Sequence, residues 1–480
     1  MTTEGEIEGE IVSDRPALPK EMDAFYWTGF GGPEVCKVGK LPLPGSPGPH
    51  QLLVKVHYAS LNPADYQQRK GEAKHLLKYK FPKVFGFDFS GDVVEVGNEV
   101  KDFKIGEEVF GMVAGVRTGT AAEYVLVDDY VCALKPAEIP HHLAAAVPLV
   151  GITAEKALKK CKINDMHRVL ITGGSGGVGS IAVQLCKAEF GIEWVATTSS
   201  EESRGLVESF GADEVFDYEC NDRRWAEQFD SGTWRHVYDV VFDTQGDSKQ
   251  AVLLLGDSTD GEGPKDAGGM VSIVDGPSAE AALEWLKESG TEPKHSYITS
   301  FLENFSWLWD SVNGVRSMRK KAKGKYWTVI GTGDGDACRR LATMLESKSI
   351  VPHIDGVYPL AQAKDALARV ESGRAKGKVL IEVIPDAKAT FVETDASMEA
   401  VEGSSEPQAS SPAEERVEVA KEAAMEAEEA VKKSEVEAKT SKEAAQTGLK
   451  DAAEGVSNAE AAAEEAESAG AAVERREERL

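Results

Sequence analysis

The chain has 480 residues, enough for two or three domains, and an apolar fraction of 41% that suffices for ordinary globular cores. Its formal net charge of −27 argues against nucleic acid or an anionic membrane as a partner, because like charges repel. None of the six cysteines forms a Cys-x-x-Cys pair, so the sequence predicts free thiols in a reducing compartment rather than a zinc knuckle or a disulfide framework.

The part of the chain before residue 147 is rich in strand-forming residues. Residues 1–20 are polar and are predicted to be a mobile N-terminus; their acidity is not typical of a secretory signal or a transit peptide, so we expect a cytoplasmic protein without a membrane span. Strands are predicted over residues 51–58, 85–97, 109–110 and 123–127, between Gly, Pro and Asp turns. Such spacing predicts a compact all-β or barrel-like domain over residues 21–146.

Helical and strand signals alternate after this domain. Residues 143–160 are predicted to be helical, with a bend at Pro148. Strands are predicted over residues 169–171, 194–197, 215–216, 237–242, 270–274 and 326–330, and helices over residues 180–190, 203–210, 250–255 and 337–346. The alternation predicts a doubly wound parallel sheet with helices on both faces, over residues 147–346.

A glycine-rich turn joins the first of these strands to its helix. It reads Gly173-Gly174-Ser175-Gly176-Gly177-Val178-Gly179 and fits both Gly174-x-Gly176-x-x-Gly179 and Gly173-x-x-Gly176-x-x-Gly179. Glycine permits positive φ, close approach of a pyrophosphate to the backbone, and tight packing of helix on strand. The free N–H groups of the helix start then attract phosphates. A surface loop can share this composition, but the flanking strand and helix favour a dinucleotide site. Its candidate ligands are Gly173, Gly174, Ser175, Gly176, Gly177 and Val178.

The end of the second strand predicts which dinucleotide binds. NAD-binding chains carry a carboxylate there, whereas this strand ends in Thr198-Ser199-Ser200 with Arg204 close behind. Hydroxyls and a guanidinium can hold a 2′-phosphate, so NADPH is favoured over NADH. A merely solvated Arg204 is the alternative, and Glu201 and Glu202 weaken the attraction for a phosphate.

The composition changes after Pro385. Residues 386–480 contain 25 acidic and 11 basic side chains and contribute −14, which leaves −13 for the rest of the chain. This Ala/Glu-rich composition predicts a disordered or transiently helical acidic tail, which would improve solubility or recruit a protein partner. Before the tail, residues 299–325 combine aromatic and basic side chains, for which an amphipathic helix over the sheet is favoured over a partner or membrane site.

Further motifs extend the pattern over residues 22–384. They are Ser60-Leu-Asn-Pro-Ala-Asp-Tyr66, Gly86-Phe-Asp-Phe-Ser-Gly91, Pro148-Leu-Val-Gly-Ile-Thr-Ala154, Phe210-Gly-Ala-Asp213 and Gly377-Lys378-Val379. With these motifs the chain resembles the medium-chain dehydrogenase/reductase superfamily, and most of all its zinc-less quinone oxidoreductase and enoyl reductase branches. The resemblance implies a GroES-like catalytic domain followed by a Rossmann domain, with residues 347–385 returning to the catalytic domain. Dimers are common in that superfamily, so the resemblance is compatible with a homodimer, but the sequence leaves the oligomeric state open.

The resemblance also implies that catalysis does not use zinc. Asn62 stands where the alcohol dehydrogenase branch has a zinc-binding Cys, Phe87 stands where it has a His, and its four-cysteine cluster is missing. Without thiolate or imidazole at these positions we expect no metal there. The acceptor of the hydride must then be reactive by itself, as a quinone or an α,β-unsaturated carbonyl is.

The same resemblance suggests roles for individual residues. Asn62 and Thr153 should lie near the nicotinamide. Asp65 or Tyr66 should lie beside them. Tyr66 would be either a proton or hydrogen-bond donor to the substrate or a packed tyrosine of the cleft, and for Asp65 a structural role at the Asn-Pro turn is favoured. Tyr218 matches a residue near the 2′-phosphate. Lys378 matches a lysine near the cofactor, or else is an exposed charge, and Thr244 ends a strand at the edge where such sheets bind ligands.

Two alternatives remain open at this point. One is an enoyl reductase that acts in trans in a lipid or polyketide pathway, with the same chemistry and a larger pocket. The other is a non-enzymatic NADPH-binding protein that recruits partners through its tail.

Overall fold

The computed structural model describes residues 18–72, 74, 79–113, 119–220, 225–226, 238–255, 268–274, 321–322, 325–329 and 331–385. The acidic tail, the N-terminal residues 1–17 and almost all of the 299–325 segment lie outside the described residues. None of the described helices is long and apolar enough to span a bilayer.

The described residues form mixed α/β structure. The strands are β1 (Glu21–Trp27), β2 (Cys36–Pro42), β3 (Gln51–Leu61), β4 (Lys83–Val84), β5 (Asp88–Val96), β6 (Glu108–Met112), β7 (Tyr124–Asp128), β8 (Cys132–Leu134), β9 (Arg168–Ile171), β10 (Trp194–Ser199), β11 (Glu214–Asp217), β12 (Val240–Asp243), β13 (Gly269–Ser272), β14 (Tyr326–Thr328), β15 (Ile354–Pro359) and β16 (Lys378–Glu382). The helices are α1 (Pro63–Lys70), α2 (His141–Ala145), α3 (Pro148–Lys160), α4 (Gly177–Ala188), α5 (Arg204–Ser209), α6 (Ser248–Ala251), α7 (Gly335–Glu346) and α8 (Ala363–Glu371).

The β-rich part is built on two sheets. The smaller has the order β2-β1-β4, and the larger has the order β15-β16-β3-β5-β6-β8, with β7 also paired to β3. Most neighbours in the larger sheet are antiparallel, but β15 and β16 are parallel. The chain therefore comes back after α7 to add two strands to the sheet that it began with β3. The apolar face of α8, with Leu367 and Val370, packs into the same core as Phe25 and Trp27.

Strands β9 to β14 form a parallel sheet with the order β11-β10-β9-β12-β13-β14. Alternate residues of β9 enter different cores: Val169 and Ile171 pack with α3, α4 and α7, whereas Leu170 packs with Trp225 and Ala251. The sheet is thus covered on both faces, and its order is that of the doubly wound dinucleotide-binding folds. The predicted fold class, a GroES-like domain with a Rossmann sheet, is confirmed.

The helix predicted over residues 143–160 is two helices. Helix α2 ends at Ala145, and α3 starts at Pro148, which occupies its first turn. Proline lacks a backbone N–H, but the first turn of a helix has no intrahelical acceptor for it, so the residue begins a helix here instead of bending one. Helix α4 begins at Gly177, three residues earlier than predicted, because Gly177 and Gly179 of the turn belong to its first turn.

Candidate active site

The glycine turn is held in place by sterics that exclude side chains. Gly173 has a φ of +71°, and a Cβ on Gly174 would lie 2.1 Å from Thr197 Oγ1. A Cβ on Gly179 would lie 2.1 Å from the Gly173 carbonyl oxygen, so that glycine allows α4 to pack on the turn. A Cβ on Gly176, the residue before α4, would meet nothing closer than 3.3 Å. The positions where glycine is essential are thus Gly173, Gly174 and Gly179.

The turn presents the start of α4 beside the returning strand β16. The N–H of Gly377 donates to the carbonyl of Ser175 at 2.8 Å, and Gly176 and Gly377 form a parallel bridge. Gly177 and Val178 open α4, and N–H groups of a helix's first turn have no intrahelical acceptor. Such donors and the positive end of a helix dipole attract anions, so this position next to Gly377 suits a phosphate.

The three hydroxyls predicted at the end of β10 have different surroundings. Thr198 Oγ1 accepts the N–H of Gly173 at 2.9 Å, and therefore supports the glycine turn. Ser200 Oγ donates to Ser203 Oγ at 3.3 Å. Ser199 is fully buried, and its Oγ has no hydrogen-bond partner. An unsatisfied buried hydroxyl costs about 1–3 kcal/mol, which a ligand acceptor at this position would offset.

The residues predicted to bind a 2′-phosphate lie around Ser199. The N–H of Tyr218 donates to the Ser199 carbonyl at 3.2 Å. Arg204 is not simply solvated: its Nε and Nη2 form a bidentate pair with Glu201, and its Nη1 donates to the Val215 carbonyl at 3.1 Å. Glu201 neutralises the charge of the guanidinium, so this pair adds no net positive charge here. The hydrogen bonds from Arg204 lower the pKa of the Glu201 carboxyl.

A lysine that the sequence did not single out lies close to this group. The Lys376 ammonium is 3.1 Å from the Glu202 carboxylate, and its backbone N–H donates to Asp355 at 2.8 Å. The returning segment therefore brings a cation to the loop that follows β10. The only signal for it in the sequence is its position two residues before Lys378.

A buried polar network connects β3, β5 and β16. Asp88 is fully buried; its Oδ2 accepts from Ser60 Oγ at 3.1 Å and from Asn62 Nδ2 at 2.9 Å, and its Oδ1 accepts the N–H of Leu149 at 2.7 Å. Lys378 Nζ lies 3.4 Å from Asp88 Oδ2 and also donates to Asn62 Oδ1 and to the Leu61 carbonyl. The lysine is 4% exposed, so the interpretation of Lys378 as an exposed charge is wrong. Burial lowers the pKa of its ammonium, and Asp88 opposes that shift.

A second buried carboxylate orders the backbone around Asn62. Asp65 accepts the N–H of Asn62 at 2.9 Å and the N–H of Gly86 at 2.7 Å, and thereby ties the start of α1 to the strand region before Asp88. Burial raises the pKa of Asp65 to about 6, against the lowering effect of these two N–H groups and of Lys83. Burial likewise lowers the pKa of Lys83 to about 8.

Thr153 and Thr244 lie at the carboxyl edge of the parallel sheet. Thr153 Oγ1 is buried without a partner, and a Cβ on Gly331, just beyond β14, would lie 2.2 Å from it. The Thr244 hydroxyl donates to the Thr172 carbonyl at 2.5 Å. Asp243, which the sequence analysis missed, accepts three consecutive N–H groups from Gln245 to Asp247 and fixes the loop after β12.

Tyr66 belongs to a different environment. Its half-buried ring packs at the edge of the β-rich core, and the Lys70 ammonium lies 4.9 Å from the ring centroid. Burial raises the pKa of its hydroxyl. The contacts of Tyr66 are thus with α1 and the core, whereas Asn62 and Lys378 share the network around Asp88.

Comparison with known proteins places this arrangement in a family. The alcohol dehydrogenase GroES-like domain model matches residues 48–137, and the zinc-binding dehydrogenase model matches residues 210–381. A curated relative, the 2-methylene-furan-3-one reductase of Solanum lycopersicum, is 30% identical over 377 residues, which cover 77% of this chain and 81% of that protein. The chain belongs to the medium-chain dehydrogenase/reductase superfamily.

Other superfamily members share most of this length. The NADPH-dependent alkenal/one oxidoreductase of Arabidopsis thaliana, a chloroplastic protein, is 30% identical, again over 77% of this chain and 81% of its own. The solved structure of the quinone oxidoreductase from Coxiella burnetii has a TM-score of 0.60 and 27% identity, and covers 76% of this chain and 100% of its own. The protein is therefore an oxidoreductase of the medium-chain type, with a nicotinamide cofactor.

The residues present fit such a cofactor. The turn at Gly173 and Gly174 leaves no room for side chains, the start of α4 offers N–H donors, and Ser199 and Thr153 carry buried hydroxyls without partners. These features lie along the carboxyl edge of the parallel sheet, where doubly wound folds bind dinucleotides.

Proposed function

We propose that this protein is an NADPH-dependent reductase of quinones or α,β-unsaturated carbonyls that needs no metal at its active site. The observation that carries the proposal is the network of Asn62, Asp88 and Lys378. It holds one carboxylate, one amide and one ammonium where zinc-dependent members hold the metal, and this set has neither the thiolate nor the imidazole ligands that Zn²⁺ needs.

The preference for NADPH rests on the surroundings of Ser199. Its buried hydroxyl, the Arg204 guanidinium and the Lys376 ammonium provide hydrogen-bond donors near the end of β10. Glu201 and Glu202 each pair with one of the cations. A 2′-phosphate would compete with these two exposed carboxylates for the cations more strongly than a neutral 2′-hydroxyl, because hydrogen bonds between charged groups are stronger.

A reduced nicotinamide, when bound, supplies a hydride to an electron-poor carbon. The role of the protein is then to orient the acceptor and to stabilise the oxygen on which negative charge develops. We assign Thr153 to this task, because its buried hydroxyl has no other partner. Lys378 would add a fixed positive charge nearby, and would orient the amide of Asn62. Tyr66 is our candidate for delivering the proton that completes the reduction, on the family resemblance alone, because its described contacts are with α1 and the β-rich core.

The compartment and the partners are also part of this proposal. None of the six cysteines is in a disulfide, and five of them are buried, as expected in a reducing compartment such as the cytoplasm. The partner is a small quinone or enone. The network of Asn62, Asp88 and Lys378 is buried, so the proposal needs no partner with a large contact surface.

The proposal is tested by initial rates of NADPH and NADH oxidation by the purified full-length chain, with phenanthrenequinone and with a medium-chain alkenal as acceptors. We expect a higher kcat/KM with NADPH than with NADH, and turnover of at least one acceptor. The better acceptor identifies the substrate class. Tight NADPH binding without oxidation in either reaction would contradict the proposed activity and would favour a binding role.

A further inference from the structure

A second group of potential ligands lies away from the network of Asn62. His57 on β3, Asp92 on β5 and His141 at the start of α2 each offer one ligand atom, and these atoms all lie within 4.8 Å of one another. His57 Nε2 is 2.9 Å from Asp92 Oδ2, and the two imidazole rings stack with centroids 4.4 Å apart. Within the part of the chain that the structure describes, no other group of three His, Cys, Asp or Glu side chains has this geometry.

The backbone positions these side chains through an irregularity in the sheet. In the pairing of β3 with β5, Val56 faces Gly91 and Tyr58 faces Ser90, so His57 is an extra residue without a partner in the ladder. A bulge of this kind changes the direction of a side chain and is common beside functional sites. His57 is five residues from Asn62, which at about 3.3 Å per residue along a strand puts its backbone roughly 16 Å away.

A buried hydroxyl orients His141. His141 Nδ1 lies 2.8 Å from Ser90 Oγ, and Ser90 Oγ also donates to the Val109 carbonyl at 3.2 Å. With the Ser90 hydroxyl directed at Val109, Nδ1 would carry the proton and Nε2 would be the ligand atom. Metal-bound histidines are usually oriented in this way, by a hydrogen bond from the other ring nitrogen.

The Nε2 atom of His141 faces negative charge. Nε2 lies 3.6 Å from Glu108 Oε1, and Asp92 completes the acidic side of the group. Lys135, 2.8 Å from Glu108 Oε2, balances one of the two carboxylates, and Lys55 acts on Asp92 from a greater distance.

We propose that His57, Asp92 and His141 bind a Zn²⁺ ion, with Glu108 or a water molecule as the fourth ligand. Two imidazoles and a carboxylate suit zinc, whereas Mg²⁺ and Ca²⁺ prefer oxygen ligands alone. With bonds of about 2.0–2.2 Å, tetrahedral ligand atoms lie about 3.3–3.5 Å apart, so His57 and Asp92 need to separate by only a few tenths of an ångström. The ion joins β3, β5 and α2, and its role is structural.

This inference does not depend on the proposed reductase activity. The test is isothermal titration of the chelator-treated full-length chain with ZnCl₂, with MgCl₂ as a second titrant, and thermal unfolding with and without Zn²⁺. We expect one Zn²⁺ per chain, a higher Tm with Zn²⁺, and no response to Mg²⁺. NADPH oxidation by the same samples should have the same kcat with and without Zn²⁺.

Variants locate the ion. Asp92→Asn and His57→Ala change partly exposed side chains and should weaken Zn²⁺ binding at least tenfold, and Ser90→Ala should weaken it about tenfold by releasing His141. His50→Ala is the matched control, because His50 also contacts two carboxylates, Glu99 and Asp129, but is exposed; its Zn²⁺ affinity should equal that of the wild type. An absence of Zn²⁺ binding, or binding that is unchanged in both Asp92→Asn and His57→Ala, would overturn the inference.

Discussion

The ammonium of Lys378 lies 3.4 Å from the carboxylate of Asp88, although 290 residues separate them in the chain and both side chains are buried. The pair joins β16 to β5 directly beside the glycine turn, since a Cβ on Gly177 would lie 3.2 Å from Lys378 Cδ. The same lysine thus contributes to the stability of the fold and to the electrostatics of the site.

Replacing Lys378 should show how much an unpaired buried charge lowers the free energy of unfolding. In Lys378→Met, Asp88 keeps its charge in the interior without a cation, and removal of one partner of a buried pair typically costs about 3–5 kcal/mol. Urea unfolding measures the loss. The double variant Lys378→Met/Asp88→Asn should recover part of it, whereas Lys376→Met, a matched change at a half-exposed position, should have little effect on stability. Equal losses in Lys378→Met and Lys376→Met would contradict the role of the pair.

The unpartnered hydroxyl of Ser199 leads to a prediction about the preference for NADPH over NADH. Ser199→Ala should raise the Kd for NADPH about tenfold, because a hydrogen bond to a charged phosphate is worth about 1.5–3 kcal/mol. The Kd for NADH should not change. Fluorescence titration with both nucleotides measures the effect, and Ser200→Ala is the control, because the Ser200 hydroxyl already bonds to Ser203. If both Kd values rose equally, Ser199 would not contact the 2′-phosphate.

Two glycine-to-alanine variants test whether the turn needs glycine at a particular position for steric reasons. Gly179→Ala brings a Cβ to 2.1 Å from the Gly173 carbonyl oxygen, so it should displace α4, lower the Tm and abolish nucleotide binding. Gly205→Ala, in α5, meets no heavy atom within 4 Å and should stabilise the helix by about 0.5–1 kcal/mol. Calorimetry and NADPH titration of both variants check this. Normal nucleotide binding by Gly179→Ala would contradict the described packing of the turn.

The buried Asp65 predicts a pH dependence of stability. Its pKa is raised to about 6 by burial, so the folded chain binds this proton more tightly than the unfolded chain, whose carboxyl has a pKa near 3.8. The contribution of Asp65 is therefore complete below pH 4 and is lost as the pH rises through about 6, with a loss of about 3 kcal/mol at most. The measurement is the difference in unfolding free energy between wild type and Asp65→Asn from pH 4 to 7. A difference that does not fall with pH would contradict a buried carboxyl.

Local features were predictable from the sequence, whereas side-chain partners were not. The glycine turn and the strand ends that follow it depend on short-range sterics and on periodicity, and the structure has them within a few residues of the prediction. Which hydroxyl of Thr198, Ser199 and Ser200 remains without a partner depends on the direction of each side chain from β10, which a list of hydroxyls does not reveal.

Long-range contacts explain the remaining differences. Whether Lys378 is exposed or buried is decided by β16 pairing with β3, more than 300 residues earlier. The group of His57, Asp92 and His141 likewise comes from three separate elements and from one sheet bulge, so no spacing rule for metal ligands could have found it.

The most direct test of the central claim is the rate of NADPH oxidation by chain from which a chelator has removed all metal, with the metal content measured on the same sample. The metal-free chain should retain its kcat with the better of the two acceptors. The Asp92→Asn variant should be treated in parallel, because it lacks a ligand of the proposed structural zinc site. Loss of activity on chelation that Zn²⁺ restores in the Asp92→Asn variant would place a metal at Asn62 and Asp88, and would rule out a reductase that needs no metal at its active site.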